Sequence, residues 1–177
     1  MSDSQITKKA LAESIKKLME ERPLKKINIS DIVEGCNMNR QSFYYHFKDK
    51  YDLVNWIYYT EFVVTIKGLT ISVWEVLEKI CNYFYENKEF YKNAFKVKGQ
   101  NSFSEYFNDI LHSFLAVHLV EIFKNKKNVD FYATFYADAI RAAISRWLLE
   151  GAQLSPEQFV ALVKNAIESV ATYLLED

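Results

Sequence analysis

Hydrophobic residues recur at helical spacing along most of the chain. The first such segment has lysines and glutamates on one face and apolar side chains on the other: Ala10, Leu11, Ile15, Leu18 and Met19. Threonine is a common N-cap, and proline disfavours helical conformation in the residue before it. We therefore expect Thr7 to begin this helix and Pro23 to end it.

Capping residues divide the next segment into short helices. Asn28 is a good N-cap, and Asn37 suits a helix end because asparagine tolerates the left-handed backbone conformation. Asn39 follows as a second N-cap, and Asp49 as a third. Residues 28–47 are therefore predicted to form two helices joined by a turn of about three residues, which is the layout of a helix-turn-helix.

The rest of the pattern predicts longer helices separated by short polar breaks. The breaks fall at Lys67–Thr70, Lys98–Asn101 and Lys124–Asn128, and Gly151 ends the helix before the last. The predicted helices cover residues 50–66, 73–87, 89–96, 103–123 and 129–150, followed by one that opens at Ser155-Pro156. The last two helices carry more apolar surface than one core needs, which indicates a subunit interface.

Composition supports an all-helical fold. The chain has 177 residues, of which 50% are hydrophobic, and only 4 Gly and 2 Pro are available for turns. Two cysteines far apart in sequence, without metal-ligand spacing, suggest a reduced compartment. No apolar run approaches the roughly 20 residues that span a bilayer, and no signal peptide is visible, so we expect a soluble cytoplasmic protein.

The charge distribution is mildly uneven. Residues 1–55 contain 10 Lys/Arg against 8 Asp/Glu, a net charge of +2, and the remainder contains 12 against 15, a net of −3. A slightly basic N-terminal region would suit a nucleic acid partner, although solvated surface charge explains the difference almost as well.

The segment MNRQSFYYHFKDKYDL, residues 38–53, is dense in hydrogen-bonding side chains. Phe43 and Phe47 are four residues apart and should face the core, with Tyr44 near them. Arginine can bind guanine and glutamine can bind adenine, each through two hydrogen bonds. Arg40, Gln41, Ser42 and Tyr45 follow the predicted turn directly, where base edges would lie. Tyr45, His46 and Lys48, with Lys50 in the first turn of the next helix, are placed for backbone phosphates. The alternative is that these aromatic residues are ordinary core.

This segment also resembles the DNA-binding domain of the tetracycline-repressor (TetR/AcrR) family of transcription regulators. The shared features are Asp31-Ile32, Asn39-Arg40, the run from Phe43 to Phe47, and Lys50-Tyr51-Asp52-Leu53. Two positions depart from the family pattern: Cys36-Asn37 replaces the usual Ala-Gly, and Gln41 replaces a small residue, which leaves the operator sequence open.

The resemblance implies a DNA-binding domain at residues 1–52 and a regulatory and dimerisation domain at residues 53–177, with about nine helices in all. It implies a homodimer through the last two helices that binds a palindromic operator in double-stranded DNA. Residues expected to contact bases or walls of the groove are Arg40, Gln41, Ser42, Tyr44 and Tyr45. Residues expected to hold phosphates are Asn28, Ser30, Asn39, His46, Lys48 and Lys50.

Two triggers remain open for the second domain. A small apolar effector would bind among aromatic side chains, with these residues as candidates: Phe84, Tyr91, Phe95, Phe107, Phe114, Phe135 and Trp147. Polar candidates for the same pocket are His112, His118, Arg141 and Arg146. Alternatively, a partner protein docks on this domain. The segment NRQSFYYHFKDKYDLVNWI and the pattern Trp147-Leu148-x-x-Gly151 followed by Ser155-Pro156-Glu157 also resemble one subgroup of the family. That subgroup includes the activator of dihydroxyacetone kinase operons, which implies control by a kinase-like partner.

Enzymatic activity is not expected. The chain lacks a nucleophile elbow, a glycine-rich phosphate loop and an HExxH motif, and Glu86 and Glu89 are better explained as solvated. We therefore expect no catalytic residue, no metal and no cofactor.

Overall fold

The structure is a computed structural model that describes residues 3–122 and 128–175. Nine helices and no strand occur within these ranges, as predicted for an all-helical chain. Of the predicted polar link at residues 124–128, only Asn128 falls inside the described residues. The bounds of the helices are α1 Asp3–Glu21, α2 Ile29–Glu34, α3 Arg40–Tyr44, α4 Lys50–Tyr58 and on to Ile66, α5 Val73–Glu86, α6 Lys88–Phe95, α7 Phe103–Ile122, α8 Val129–Leu149 and α9 Pro156–Leu175.

Two irregular turns interrupt this series. A 3₁₀ turn at Leu24–Lys26 connects α1 to α2. Helix α4 continues from Lys50–Tyr58 through a π-helical turn at Tyr59–Val63 into a last turn at Val64–Ile66. The sequence pattern did not predict either feature.

Most predicted helix ends are confirmed, and one is wrong. Asn28, Asn39 and Asp49 are N-caps, and Gly151 follows α8 with a φ of 92°. Thr7 does not cap α1, because the helix already begins at Asp3. The Thr7 hydroxyl instead donates to the Asp3 carbonyl one turn earlier, at 3.0 Å.

The chain forms two compact units. The first contains residues 1–67 and 89–106, and the second contains residues 68–88 and 107–177. The predicted boundary between a DNA-binding domain and a regulatory domain, at residues 52 and 53, falls inside α4. The compact units group the residues differently, so this boundary stays a prediction about function.

The first unit has a core of aliphatic residues from α1 and α2 and an aromatic cluster around Phe103. The Phe103 ring centroid lies 5.3 Å from that of Tyr58 and 5.0 Å from those of Tyr91 and Phe95. All four side chains are fully buried. Edge-on and tilted aromatic pairs at these distances contribute about 0.5–1.5 kcal/mol each beyond their buried area.

Asn93 on α6 joins the end of α1 to the 3₁₀ turn. Its Nδ2 donates to the carbonyls of Met19 and Arg22, each at 3.0 Å, and its Oδ1 accepts from the Leu24 N–H at 3.0 Å. These are backbone groups that the end of α1 leaves without helical partners. One amide side chain therefore satisfies three of them and fixes where the chain turns toward α2.

The second unit packs around Trp147 on α8. The indole ring is stacked between Tyr85, at 6.1 Å, and Phe159, at 4.8 Å, and its Nε1–H donates to the Leu154 carbonyl at 3.1 Å. Because the indole N–H has a hydrogen-bond partner, the stabilisation gained by burying this large ring is not reduced by an unsatisfied donor. The contact positions α5, α8 and α9 around one side chain.

We expect Asn93→Ala to lower the free energy of unfolding by about 1–3 kcal/mol, because it removes the partners of three backbone groups at once. Urea denaturation followed by far-UV circular dichroism measures the change. Asn82→Ala is the matched control, since the exposed Asn82 side chain donates only within its own helix, to the Glu78 carbonyl at 3.0 Å. Equal stability of the two variants would contradict the anchoring role.

Candidate nucleic-acid interface

The turn between α2 and α3 is a Schellman motif. Asn37 adopts a φ of 55°, its N–H donates to the Glu34 carbonyl at 3.2 Å, and the Met38 N–H donates to the Val33 carbonyl at 2.8 Å. Asparagine is one of the few non-glycine residues that adopt this left-handed conformation readily. The departure from the family pattern at Asn37 therefore preserves the turn, as expected.

Helix α2 is held against α1 by a close contact at Gly35. A Cβ atom at this position would fall on the Ser14 Oγ. That hydroxyl is buried and donates to the Ile32 carbonyl at 2.6 Å. Glycine suits position 35 because a side chain there would clash with Ser14, and its backbone angles do not themselves call for glycine. This contact fixes the position of the turn that follows.

Helix α3 separates its side chains by face. Phe43 and Phe47 are buried, as predicted, while Tyr45 is 83% exposed and Tyr44 is 59% exposed. Tyr44 was expected near the buried pair, but its ring meets Phe43 edge-on and lies mostly in solvent. Gln41 is also exposed. This segment therefore presents polar and aromatic groups to solvent and packs its apolar side chains into the core.

Polar contacts organise the N-terminal end of α3. Asn39 Oδ1 accepts from the Ser42 N–H at 2.8 Å and from the Ser42 hydroxyl at 3.1 Å. Arg40 Nε donates to the Ser30 hydroxyl at 2.9 Å, and a terminal guanidinium nitrogen of Arg40 donates to the same oxygen. The Arg40–Ser30 contact brings the first turns of α2 and α3 side by side.

His46 lies at the end of α3 against the Tyr45 ring, with ring centroids 4.8 Å apart. Burial lowers the pKa of His46, and the nearby Lys8 ammonium lowers it further. Both effects favour the neutral form of the imidazole in the protein without DNA. In that form the ring can offer a phosphate one N–H donor but no positive charge.

Lys50, which the sequence predicted to contact a phosphate, binds the backbone of the 3₁₀ turn. Its ammonium donates to the carbonyls of Leu24 and Ile27, each at 2.7 Å, and of Lys25 at 3.2 Å. Burial lowers the pKa of Lys50, while Asp31 and Asp49 oppose that shift. An ammonium group has three donors, and all are used here. These contacts favour a structural role for Lys50 in holding the 3₁₀ turn, and its phosphate contact stays a prediction.

The predicted effector residues do not all belong to one unit. Tyr91 and Phe95 pack around Phe103 in the first unit, whereas Phe84 and Phe107 pack together in the second, with ring centroids 5.2 Å apart. The Phe135 side chain is 58% exposed, so it lines no enclosed pocket there. Within the second unit, Phe114 is half-buried and Trp147 is held in its stack.

The space left between α5, α7 and α8 in the second unit is small. A void of about 10 Å³ lies between Val73, Leu77, Phe114 and Ile140. That volume admits a water molecule at most. A larger groove of about 500 Å³, which the sequence did not predict, lies along α8 and α9; it is lined by Ala142, Ala143, Arg146, Trp147, Glu150, Gln153, Leu154, Phe159 and Leu162.

The polar candidates in this unit mostly have partners. His112 Nε2 lies 3.1 Å from an Asp130 oxygen, and His118 Nδ1 lies 2.8 Å from the Phe114 carbonyl. Arg141 Nε donates to Asn108 Oδ1 at 3.1 Å. Arg146 lines the groove. Across residues 3–122 and 128–175, no cluster of ligating side chains could hold a metal ion, and no helix has the length and apolarity to cross a bilayer.

Comparison with known proteins agrees with this geometry. Residues 11–57 match the family described as bacterial regulatory proteins of the tetR family, and residues 73–169 match the C-terminal region of a group of transcriptional regulators in that family. The chain therefore belongs to the TetR family of DNA-binding transcription regulators, whose DNA-binding element is the helix-turn-helix formed by α2 and α3. This assignment also confirms that the chain is a regulator and not an enzyme.

One curated relative is the HTH-type dhaKLM operon transcriptional activator DhaS of Lactococcus lactis subsp. lactis (strain IL1403), with 31% identity over 99 residues. The alignment covers 55% of this chain and 53% of the relative, which is about half of its length. The resemblance to the dihydroxyacetone kinase operon activator is confirmed at this level.

Solved structures share the fold. The dihydroxyacetone kinase operon activator DhaS superimposes with a TM-score of 0.68 and 24% identity, covering 93% of this chain and 95% of that one. NalD, the secondary repressor of the MexAB-OprM multidrug efflux pump in Pseudomonas aeruginosa, gives a TM-score of 0.59 with 13% identity, covering 95% and 96%. At these identities the likeness concerns the fold alone.

We expect Lys50→Met to lower the free energy of unfolding by about 1.5–3 kcal/mol, the usual range for hydrogen bonds made by a charged group. Thermal unfolding by circular dichroism is the measurement. Lys48→Met is the control, because Lys48 is exposed and only two residues away. If both variants melt at the same temperature, the ammonium does not hold the turn.

Proposed function

We propose that the chain acts as a homodimer that binds a palindromic operator and regulates transcription in the cytoplasm. The observation that supports this most strongly is the exposed N-terminal half of α3, held in place by the Schellman turn and the Asn39 cap. In helix-turn-helix proteins the N-terminal residues of the second helix contact base edges in the major groove.

The side chains divide by chemistry into two groups. Arg40 and Gln41 are exposed and able to form paired hydrogen bonds with guanine and adenine, so we assign them to base recognition. Tyr44 and Tyr45 present rings and hydroxyls beside them. Ser42 stays with the side chains expected to contact bases or the walls of the groove. The remaining polar groups suit phosphates, which fix orientation without selecting sequence: Asn28, Ser30, Asn39, His46 and Lys48. The phosphate contact of Lys50 stays a prediction.

The proposed dimer through α8 and α9 rests on exposed apolar positions. On α8, Phe131 is 67% exposed and Phe135 58%, and neither lines the groove along α8 and α9. Large apolar side chains grouped on helix surfaces mark interaction sites, and a twofold axis would let the same surface cover itself. Two recognition helices related by such an axis bind half-sites roughly 34–36 Å apart, which accounts for the palindrome.

Control by a partner protein is supported better than control by a small effector. The void between α5, α7 and α8 is too small for an organic ligand. The groove of about 500 Å³ along α8 and α9 has the volume of a ligand site but is open at the surface, which suits contact with a protein better than enclosure of a small molecule. The curated relative is a transcriptional activator by name. We therefore propose activation as the direction of regulation here, with a kinase-like protein as the trigger.

Direct binding of a small effector would contradict control by a partner protein, and it can be measured. Isothermal titration of the protein with dihydroxyacetone and a panel of apolar compounds should give no heat of binding if the trigger is a protein. Saturable binding of one compound, together with a change in affinity for DNA, would favour a small-molecule effector instead.

Arg40→Ala should weaken binding to an operator enriched from a random duplex pool by about 1–3 kcal/mol, if Arg40 pairs with guanine. Binding to unrelated duplexes should change far less. Fluorescence anisotropy on both duplexes measures the difference. Lys96→Ala, an exposed position in the same unit, controls for loss of one positive charge. Equal losses on both duplexes would assign Arg40 to phosphate contact only.

Phe135→Glu should weaken the dimer by about 2 kcal/mol or more, because it buries a charge in the proposed apolar contact. Sedimentation equilibrium measures the monomer–dimer constant. Asn82→Glu adds the same charge to an exposed site on α5 and should leave the constant unchanged. A Phe135→Glu variant that remains as dimeric as the parent would place the interface elsewhere.

A further inference from the structure

We propose that Lys25 and Lys26, here called the lysine pair, form an additional phosphate contact beside the recognition helix. This inference rests on the proposed function and extends its contact surface. The partner group is a phosphate of the operator backbone on the strand that α2 approaches.

The 3₁₀ turn directs the lysine pair outward. The Leu24 and Ile27 side chains, which flank the pair, are 1% and 0% exposed, whereas both lysines are exposed. With both flanking side chains fixed in the core, the two between them project from the surface. The sequence Leu-Lys-Lys-Ile thus places two ammonium groups on one rigid turn.

Lys50 and Asn93 hold this turn by side-chain hydrogen bonds to its backbone. Lys50 binds three carbonyls within Leu24–Ile27, and Asn93 accepts from the Leu24 N–H. The turn therefore cannot rearrange without breaking several hydrogen bonds. A positioned backbone lowers the entropy that binding would otherwise lose in ordering these side chains.

The lysine pair lies within reach of the DNA contacted by α3. Lys26 is four residues before Ser30, a separation of at most about 14 Å along the backbone. The Ser30 hydroxyl accepts from Arg40 at 2.9 Å, so it marks the N-terminal end of α3. Since the major groove is about 12 Å wide and the first helix of the motif crosses the backbone, the pair falls near the phosphates at the edge of the groove.

No ion pair holds the lysine pair in the described part of the chain. The Asp31 carboxylate is occupied by the Arg22 guanidinium at 3.0 Å and by the Asn28 N–H at 2.8 Å. Two ammonium groups next to a DNA-binding helix are suited to a polyanion.

The test is the salt dependence of DNA binding by the Lys25→Gln/Lys26→Gln double variant. On both the enriched operator and an unrelated duplex, log Kobs should fall less steeply with log salt, by roughly 0.9 for each phosphate that the variant no longer neutralises. Affinity should drop on both duplexes while their ratio stays the same. Lys25→Arg/Lys26→Arg should retain the slope of the parent.

Lys96→Gln/Lys98→Gln is the matched control, because it removes two exposed lysines from the same compact unit. Thermal unfolding establishes that all variants are folded at the temperature of the assay. A slope for Lys25→Gln/Lys26→Gln equal to that of the control overturns the lysine pair alone. Failure of the parent to enrich any duplex overturns the proposed function, and the lysine pair with it.

Discussion

The register between α2 and α3 depends on a few polar side chains that end or begin helices. These helices have six and five residues, far below the length at which an isolated helix is stable in water. Asn28, Asn37 and Asn39 supply an N-cap, a left-handed residue and a second N-cap in succession. Without them the recognition surface would have no fixed geometry, whatever its side chains offered to DNA.

Hydrogen bonds from residues distant in the chain then hold these short helices against the rest of the first unit. Ser14 binds the Ile32 carbonyl, Asn93 binds three groups at the end of α1, and Lys50 binds three carbonyls of the 3₁₀ turn. Each is a side chain that satisfies backbone groups left over where helices stop. Hydrophobic burial supplies most of the stabilisation, and these contacts decide which arrangement of short helices it stabilises.

The parts of the fold that depend on local chemistry were predictable from the sequence. The caps at Asn28, Asn39 and Asp49 and the left-handed turn at Asn37 need only neighbouring residues, and all are confirmed. The contacts of Lys50 and Asn93 join residues far apart in the chain, so no local pattern revealed them, and the sequence predicted only a phosphate contact for Lys50. The exposure of Phe135 was missed for a related reason, since spacing shows which residues share a helix face but not what covers it.

The central claim is that two copies of α3 bind DNA together across a twofold axis. Hydroxyl-radical footprinting of the protein on an enriched duplex tests it most directly. The account predicts two protected stretches on each strand, related by a dyad and centred about 10–10.5 base pairs apart or at a multiple of that spacing. A single protected stretch without symmetry, on a duplex that the protein binds tightly, would contradict it.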